Sequence, residues 1–346
     1  MATGCSADEG LSRYERLIWD FVSQSPLKSL WNLRGVPLRV VARRTWKSMM
    51  EDRIFGHAAE LGFYFLFALF PTLFSASSIL GLIARSASRI YDRLLDYLAL
   101  VLPTQALGTV LKTFNETASV SSSGKITFGL IAAIWSASVG ISALQDTLNA
   151  VYKIEDSRSY IRARLSAILL TIMLTAIMSL CLGSMLGGDF VSAVAAHRIH
   201  DEFMKTAAMV GARILGWTLA TSLLALSFAV IYYWAPDFKT RCWHWLTPGG
   251  AIGIVGWLVA SLGLRIYLHF FDTYSVTYGS LGAVIILLTW FYITGLMILL
   301  GGEVNSQIEA AAAERQLGAV AGAAGVSWPQ TTGEALGGAP ASGAAD

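Results

Sequence analysis

Charge is scarce in this chain. Asp, Glu, Lys and Arg make up 14% of its 346 residues, against about a quarter in an ordinary soluble domain. With 55% hydrophobic residues and a mean hydropathy of +0.56, that scarcity excludes a conventional water-soluble fold. The net charge of +2 is too small to attract nucleic acid, so no such partner is expected. Cysteine is nearly absent too: Cys5, Cys181 and Cys242 are far apart and form no CxxC pair or even framework, which leaves packing as their reading. No Walker lysine motif, dinucleotide glycine fingerprint or serine elbow is present, so nothing supports an ATP-driven pump or a bound cofactor. Among the histidines only His197 and His200, followed by Asp201 and Glu202, lie close together. A lone HxxHDE in a short loop reads more simply as a solvated polar loop than as a metal site. No cleavable secretory signal is expected, because the first long apolar run begins near residue 58, after a basic stretch.

What the chain has in abundance is long apolar runs. Crossing a hydrocarbon core takes about 20 helical residues, and six windows reach that length: about 58–84, 126–151, 165–188, 207–234, 247–269 and 279–302. They are continuous and lack the alternation of a barrel strand, so helices satisfy their backbone groups most economically. The expected fold is an all-α integral membrane protein, a six-transmembrane-helix bundle with amphipathic extramembrane helices. Three regions follow: a basic amphipathic N-terminal region over 1–57, the membrane domain over 58–302, and an Ala/Gly-rich tail over 303–346.

Orientation comes from Lys and Arg in the flanks. The N-terminal region, the 152–164 and 235–246 loops and the tail hold 16, and the loops on the opposite side hold 7. Both termini are therefore expected in the cytoplasm. Residues 35–57 include "LRVVARRTWKSMMEDRIF", whose basic groups suit anionic lipid, making membrane lipids the first expected partners. The outer loop 85–125 carries apolar residues at helical spacing around Pro103, which reads as two short amphipathic helices that either cap a cavity or cover the bundle. After residue 310 the tail has too little large apolar surface for a core and reads as a frayed helix followed by disorder.

Small residues recur at four-residue spacing in Ala132, Ser136 and Gly140, and in Gly249 and Gly253 with Gly256 and Ala260. Such stripes let helix backbones approach closely, within one chain or in a homo-oligomer. The charged and polar residues inside the spans are the candidate substrate-binding groups. Glu60, Asp146, Asn149 and Glu303 fall toward the inner ends, whereas Arg213 lies roughly 9 Å past the start of its span and Arg265 roughly 6 Å before the end of its own. The acids would line an inner vestibule and the two guanidinium groups an outer one, suited to a phosphate or carboxylate. The bland alternative is that both arginines snorkel to the headgroups. Between the last two spans, "DTYSVTYGSLGA" (272–283) turns at the outer boundary, with Tyr274 and Tyr278 suited to the headgroup level and Thr277 or Ser280 to capping the next helix. An anion at that helix N-terminus would complete the outer site. Pro71 interrupts the first span and is a candidate hinge, with Thr72 and Ser75 placed to satisfy the freed carbonyl.

Five stretches carry a family resemblance: "AAELGFYFLFALFP" (58–71), "IWSASVGISALQDTLNAVY" (134–152), "YYWAPD" (232–237), "TPGGAIGIVGW" (247–257) and "YSVTYGSLGAVIILLTWFYITGLMILLGGEVN" (274–305). In order, they resemble the successive blocks of the YihY/BrkB family of bacterial inner-membrane proteins. The resemblance spans about residues 40–308. It implies a six-span inner-membrane protein described as a transporter or envelope factor. That family has also carried a ribonuclease BN label and a virulence-factor label, and one branch is linked to export of a lipopolysaccharide precursor. The expected function is accordingly a transporter or flippase-like protein for an amphipathic or anionic, lipid-like substrate. A non-transporting envelope scaffold is the alternative. A ribonuclease stands third and no enzyme is expected, since the histidine pair lies in an outer loop, away from cytoplasmic RNA.

Overall fold

The computed structural model describes residues 13–24, 30–31, 37–86, 123–154, 156–198, 201–270 and 280–323. Its regular elements are helices: α1 (Arg13–Gln24), α2 (Leu38–Glu51), α3 (Ile54–Ser86), α4 (Ser123–Val151), α5 (Tyr160–Arg198), α6 (Glu202–Trp234), α7 (Pro248–Phe270) and α8 (Ser280–Ala323). The expected outer amphipathic helices fall mostly in 87–122, outside the described residues.

The helix ends have local causes. Asp201, expected as part of a solvated polar loop, caps α6 by accepting a hydrogen bond from Met204 N at 2.8 Å. Thr247 caps α7, taking Gly250 N on its hydroxyl at 2.9 Å, and Pro248 fills the first helical position, where a missing N–H costs nothing. Past the end of α4, Lys153 adopts a left-handed φ of 52°, a position where glycine is usual. Ile154 N then reaches back to Asn149 O at 2.9 Å and closes the turn.

Four described helices are long and apolar enough to cross a bilayer, over Tyr160–Val194, Glu202–Trp234, Pro248–Phe270 and Leu281–Ala321, and Ile54–Leu69 adds a shorter apolar stretch. The expected count of six is thus met in part. The window expected as the second span is α4, whose last two turns carry Gln145, Asp146, Thr147 and Asn149 and dilute its hydropathy. Large apolar side chains stand exposed along α5, α6 and α7, among them Leu165, Leu169, Ile214, Leu215, Val255, Val259 and Leu262. Water would penalise such a surface and lipid does not.

Helix α8 is the hub, packing against α1, α2, α3, α4 and α7, while α5 and α6 pair with each other and join through α4 and α7. Close approach explains the small-residue stripe on α7. A side chain on Gly249 would fall on the backbone of Gly301, and one on Gly253 would meet Met297 O at 3.0 Å. Trp257 Nε1 continues the seam, donating to Thr294 Oγ1 of α8 at 3.1 Å.

Helix α8 also runs past the expected span boundary at 302. Residues 303–313 are all buried, so the first part of the expected tail is a packed stretch of α8, and the helix expected after residue 310 runs to Ala323. Its alanines are what allow this: Ile18 and Val22 of α1 close on Ala310 and Ala313, and Val41 of α2 joins Leu30 against Val304, Ile308 and Ala312. Arg44 fixes the contact through its two terminal guanidinium nitrogens on Glu314, each at 3.1 Å. Pro71 lies inside α3 without ending it. The hydroxyl of Thr72 goes to Ala68 O at 2.7 Å, one residue beyond Phe67, whose carbonyl the proline leaves unclaimed, so the expected rescue by Thr72 is directed at a neighbouring carbonyl.

Candidate functional site

The polar residues of α4 and α8 converge at one end of the bundle, where the α4–α5 and α6–α7 connections lie. Glu303 is fully buried there. Its Oε1 accepts from Gln307 Nε2 at 3.1 Å, whereas Oε2 is buried with no donor. Ser48 of α2 stands beside this carboxyl, but its hydroxyl proton goes to Asp52 Oδ2 at 3.1 Å. Asp52 in turn is held by the Lys153 ammonium. The left-handed turn at Lys153 is therefore what brings this cation across from α4 to the end of α2.

Two residues along α8, Asn305 completes the start of α7. Its Oδ1 accepts from Gly249 N and its Nδ2 donates to Thr247 Oγ1, both at 2.9 Å and both buried. With Pro248 lacking an N–H and Gly250 capped by Thr247, each first-turn donor of α7 has its partner. Replacing Asn305 with alanine strands the Gly249 N–H in an apolar setting and is expected to cost about 2–3 kcal/mol. A lowered unfolding temperature in detergent, with Asn305→Asp falling between the two, is the measurement.

Asn149 joins the two connections. Its Oδ1 accepts from Asp237 N at 2.8 Å and its Nδ2 donates to Asp156 Oδ2 at 3.3 Å. Arg158 completes the latch, with Nε and Nη2 each 2.9 Å from Asp156 and Nε 3.8 Å from Asp237. Burial works to raise the Asp156 carboxyl, but the hydrogen bonds and charge of Arg158 outweigh it and hold that carboxyl below the usual range. Burial likewise works to lower Arg158, and its two carboxylate neighbours raise it instead. A carboxylate whose folded value lies beneath its unfolded value of about 3.9 stabilises the fold above that pH, and its contribution fades as pH falls through the folded value. Proteolysis within 154–158 is expected to accelerate modestly below about pH 4, and in Asp156→Asn to be fast already at neutral pH.

The other expected site residues are placed differently. Glu60 is exposed and 3.5 Å from His57. Asp146 is exposed as well, and both acids lie near Tyr64. They therefore share one face of α3 and α4, and Asp146 also lies within electrostatic reach of Asp156 and Arg158 at the edge of the junction. Arg213 is an exposed side chain of α6 whose ion-pair partner is Asp189 of α5 at 3.8 Å, and Arg265 is exposed on α7. Tyr274, Thr277 and Tyr278 lie outside the described residues, and Ser280 is the first residue of α8. Sequence reasoning passed over Ser48, Asp52, Lys153, Arg158, Asp237 and Thr247 as members of the junction. Only Asp237 and Thr247 carried a signal, each standing in a family-like block.

Long apolar helices with lipid-suited faces and a buried polar end define a multi-pass α-helical membrane protein. The family model described as "Virulence factor BrkB" matches residues 45–323, and the chain belongs to that family. The match ends at the last residue of α8, so the buried helical extension lies within the family's region. Among similar proteins, the ribonuclease-like protein YfkH of Bacillus subtilis (strain 168) is 33% identical over 257 residues, covering 72% of this chain and 88% of YfkH. A UPF0761 membrane protein of Xanthomonas oryzae pv. oryzae (strain PXO99A) is 27% identical over 270 residues, and one of Xanthomonas campestris pv. campestris (strain B100) is 27% identical over 272. Each alignment covers 78% of this chain but 60% of the Xanthomonas protein, so these relatives are substantially longer than what they share with it. No solved structure matches.

Proposed function

We propose that the chain is a six-span bacterial inner-membrane transporter or flippase-like protein, with both termini cytoplasmic, that moves an amphipathic or anionic, lipid-like substrate without a bound cofactor. The observation that carries this reading is Glu303: a fully buried acid on the hub helix with one oxygen lacking a donor. An intramembrane or membrane-edge acid left in that state is costly. It makes sense where a proton, a cation or a donor on a passing ligand completes its hydrogen bonds. In the same reading the exposed Arg213 and Arg265 serve the outer side as anion-collecting groups, and the basic flanks set the orientation.

A specific observation favours a second reading, an envelope scaffold. Helix α2 exposes Leu38, Trp46 and Met50 beside Arg39, Arg43 and Lys47, a face suited to anionic lipid or a partner. Hydrolysis of RNA stays third. Proteoliposomes holding the purified chain separate the first two: a transporter moves labelled co-purifying lipid between leaflets, and a correctly inserted chain that moves none is a scaffold. Cysteine labelling at 276 from the outside tests the orientation, which fails if only cytosolic reagent reaches that position.

A further inference from the structure

Next to the Glu303 junction, the same end of the bundle holds a small, partly open pocket with an acidic side chain in its wall and a basic one at its rim. Tyr152, Tyr232, Tyr233 and Phe238 supply its aromatic surface. Most of its buried polar groups are already engaged: Asn305 and Thr247 with each other at 2.9 Å, and the Tyr232 hydroxyl with Ile298 O at 2.8 Å. Glu309 differs. It is 6% exposed, it lines the cavity, and its Oε2 is buried with no donor. Arg241 lines the same cavity from the exposed side, its guanidinium 6.0 Å from the ring centre of Tyr233 and 5.9 Å from that of Trp234. His244 stands with it. Exposed Trp243 and Trp245 flank this rim, as residues at headgroup level do.

A simple anion would meet Glu309, and a simple cation would have to pass Arg241. A molecule bearing both charges at opposite ends avoids each repulsion. We propose that this cavity binds a primary ammonium joined to a phosphate, with the ammonium donating to Glu309 Oε2 among the tyrosine faces and the phosphate on Arg241 at the rim. An N–H is needed to satisfy the open oxygen, the aromatic faces favour a cation, and guanidinium suits phosphate. Such a group is found both on ethanolamine phospholipids and as free phosphoethanolamine. The inference concerns binding alone, so its failure leaves the flux test of the proposed function untouched.

Calorimetry on the full-length protein in detergent compares O-phosphoethanolamine with O-phosphocholine, which keeps the phosphate but has no N–H to give, and with inorganic phosphate. Thermal unfolding in nanodiscs compares phosphatidylethanolamine with phosphatidylcholine, each mixed with phosphatidylglycerol. Preference for the primary ammonium by about tenfold or more is expected in at least one format. Preference in nanodiscs only identifies a lipid headgroup, and preference in both formats identifies the soluble group as sufficient. Glu309→Gln should abolish the preference, and Arg241→Gln should weaken binding of the ethanolamine and choline probes alike. Equal response to ethanolamine and choline forms in both formats overturns the proposal, as does a folded Glu309→Gln protein that keeps the preference. Should that variant fail to fold, the comparison of probes on the unaltered chain still decides.

Discussion

Replacing Gly249 with alanine is expected to remove most folded, monodisperse protein from detergent extracts. A methyl group at this position would fall on the backbone oxygen of Gly301 and lie 2.6 Å from Asn305 Oδ1. The first neighbour is main chain of the hub helix, which cannot swing aside as the end of a flexible side chain can. The second is the group that satisfies the Gly249 N–H, so moving it breaks a buried hydrogen bond. Overpacking of this kind costs about 1–3 kcal/mol where neighbours can adjust, and more where they cannot. The cost here is set above about 3 kcal/mol, a large share of a marginal stability. Gly301→Ala should behave alike, since its added methyl meets the Tyr232 hydroxyl and approaches Gly249 O. Gly263→Ala, on the same helix with open space around it, is the control and should leave elution profile and unfolding temperature unchanged. A Gly249→Ala protein as stable as that control would show that α7 and α8 are not packed through this seam.

The stripe containing Gly249 was legible in the sequence because helix contact in lipid needs small side chains at regular spacing, a local and periodic signal. So was the prominence of Glu303, since an acid at the edge of an apolar run stands out by composition. What could not be read was pairing. The link from Asp52 to Lys153 joins residues about a hundred positions apart, and no spacing rule connects the end of one helix to the end of another. The alanine run after Glu309 misled for a related reason. Its small side chains look like too little apolar surface for a core, yet they form the floor on which α1 and α2 lie, and the covering surface is supplied by Ile18, Val22 and Val41 from the other end of the chain. Asn149 shows the same limit. Sequence marks it as a candidate ligand-binding group, and the fold engages both ends of its amide in joining two connections, partners that no spacing rule supplies. Nor could the partner of Arg213 be read, since Asp189 stands on the adjacent helix.

Glu303→Gln is expected to fold as well as the unaltered chain and to lose transport by at least about tenfold. The two halves of this prediction have one origin. The amide keeps the oxygen that accepts from Gln307 at 3.1 Å and removes an ionisable group from a site where Oε2 has no donor, so stability should hold or rise slightly. Asp52 loses an acidic neighbour and keeps Lys153 and Ser48, so the surrounding contacts stay in place. An amide cannot take up and release a proton, however, and it does not attract a cation as a carboxylate does, so any cycle that uses this position stops. Glu303→Asp provides the second arm, retaining the chemistry on a shorter stem and predicted to keep partial flux. The measurement is leaflet-to-leaflet movement of labelled co-purifying lipid in proteoliposomes, alongside unfolding temperature in detergent. If Glu303→Gln carried lipid at the full rate, the buried acid would be a packing residue and the transport reading would lose its main support. If the variant instead unfolded, the carboxylate would have to be counted among the groups that hold α2, α4 and α8 together, and the Asp arm alone would report on transport.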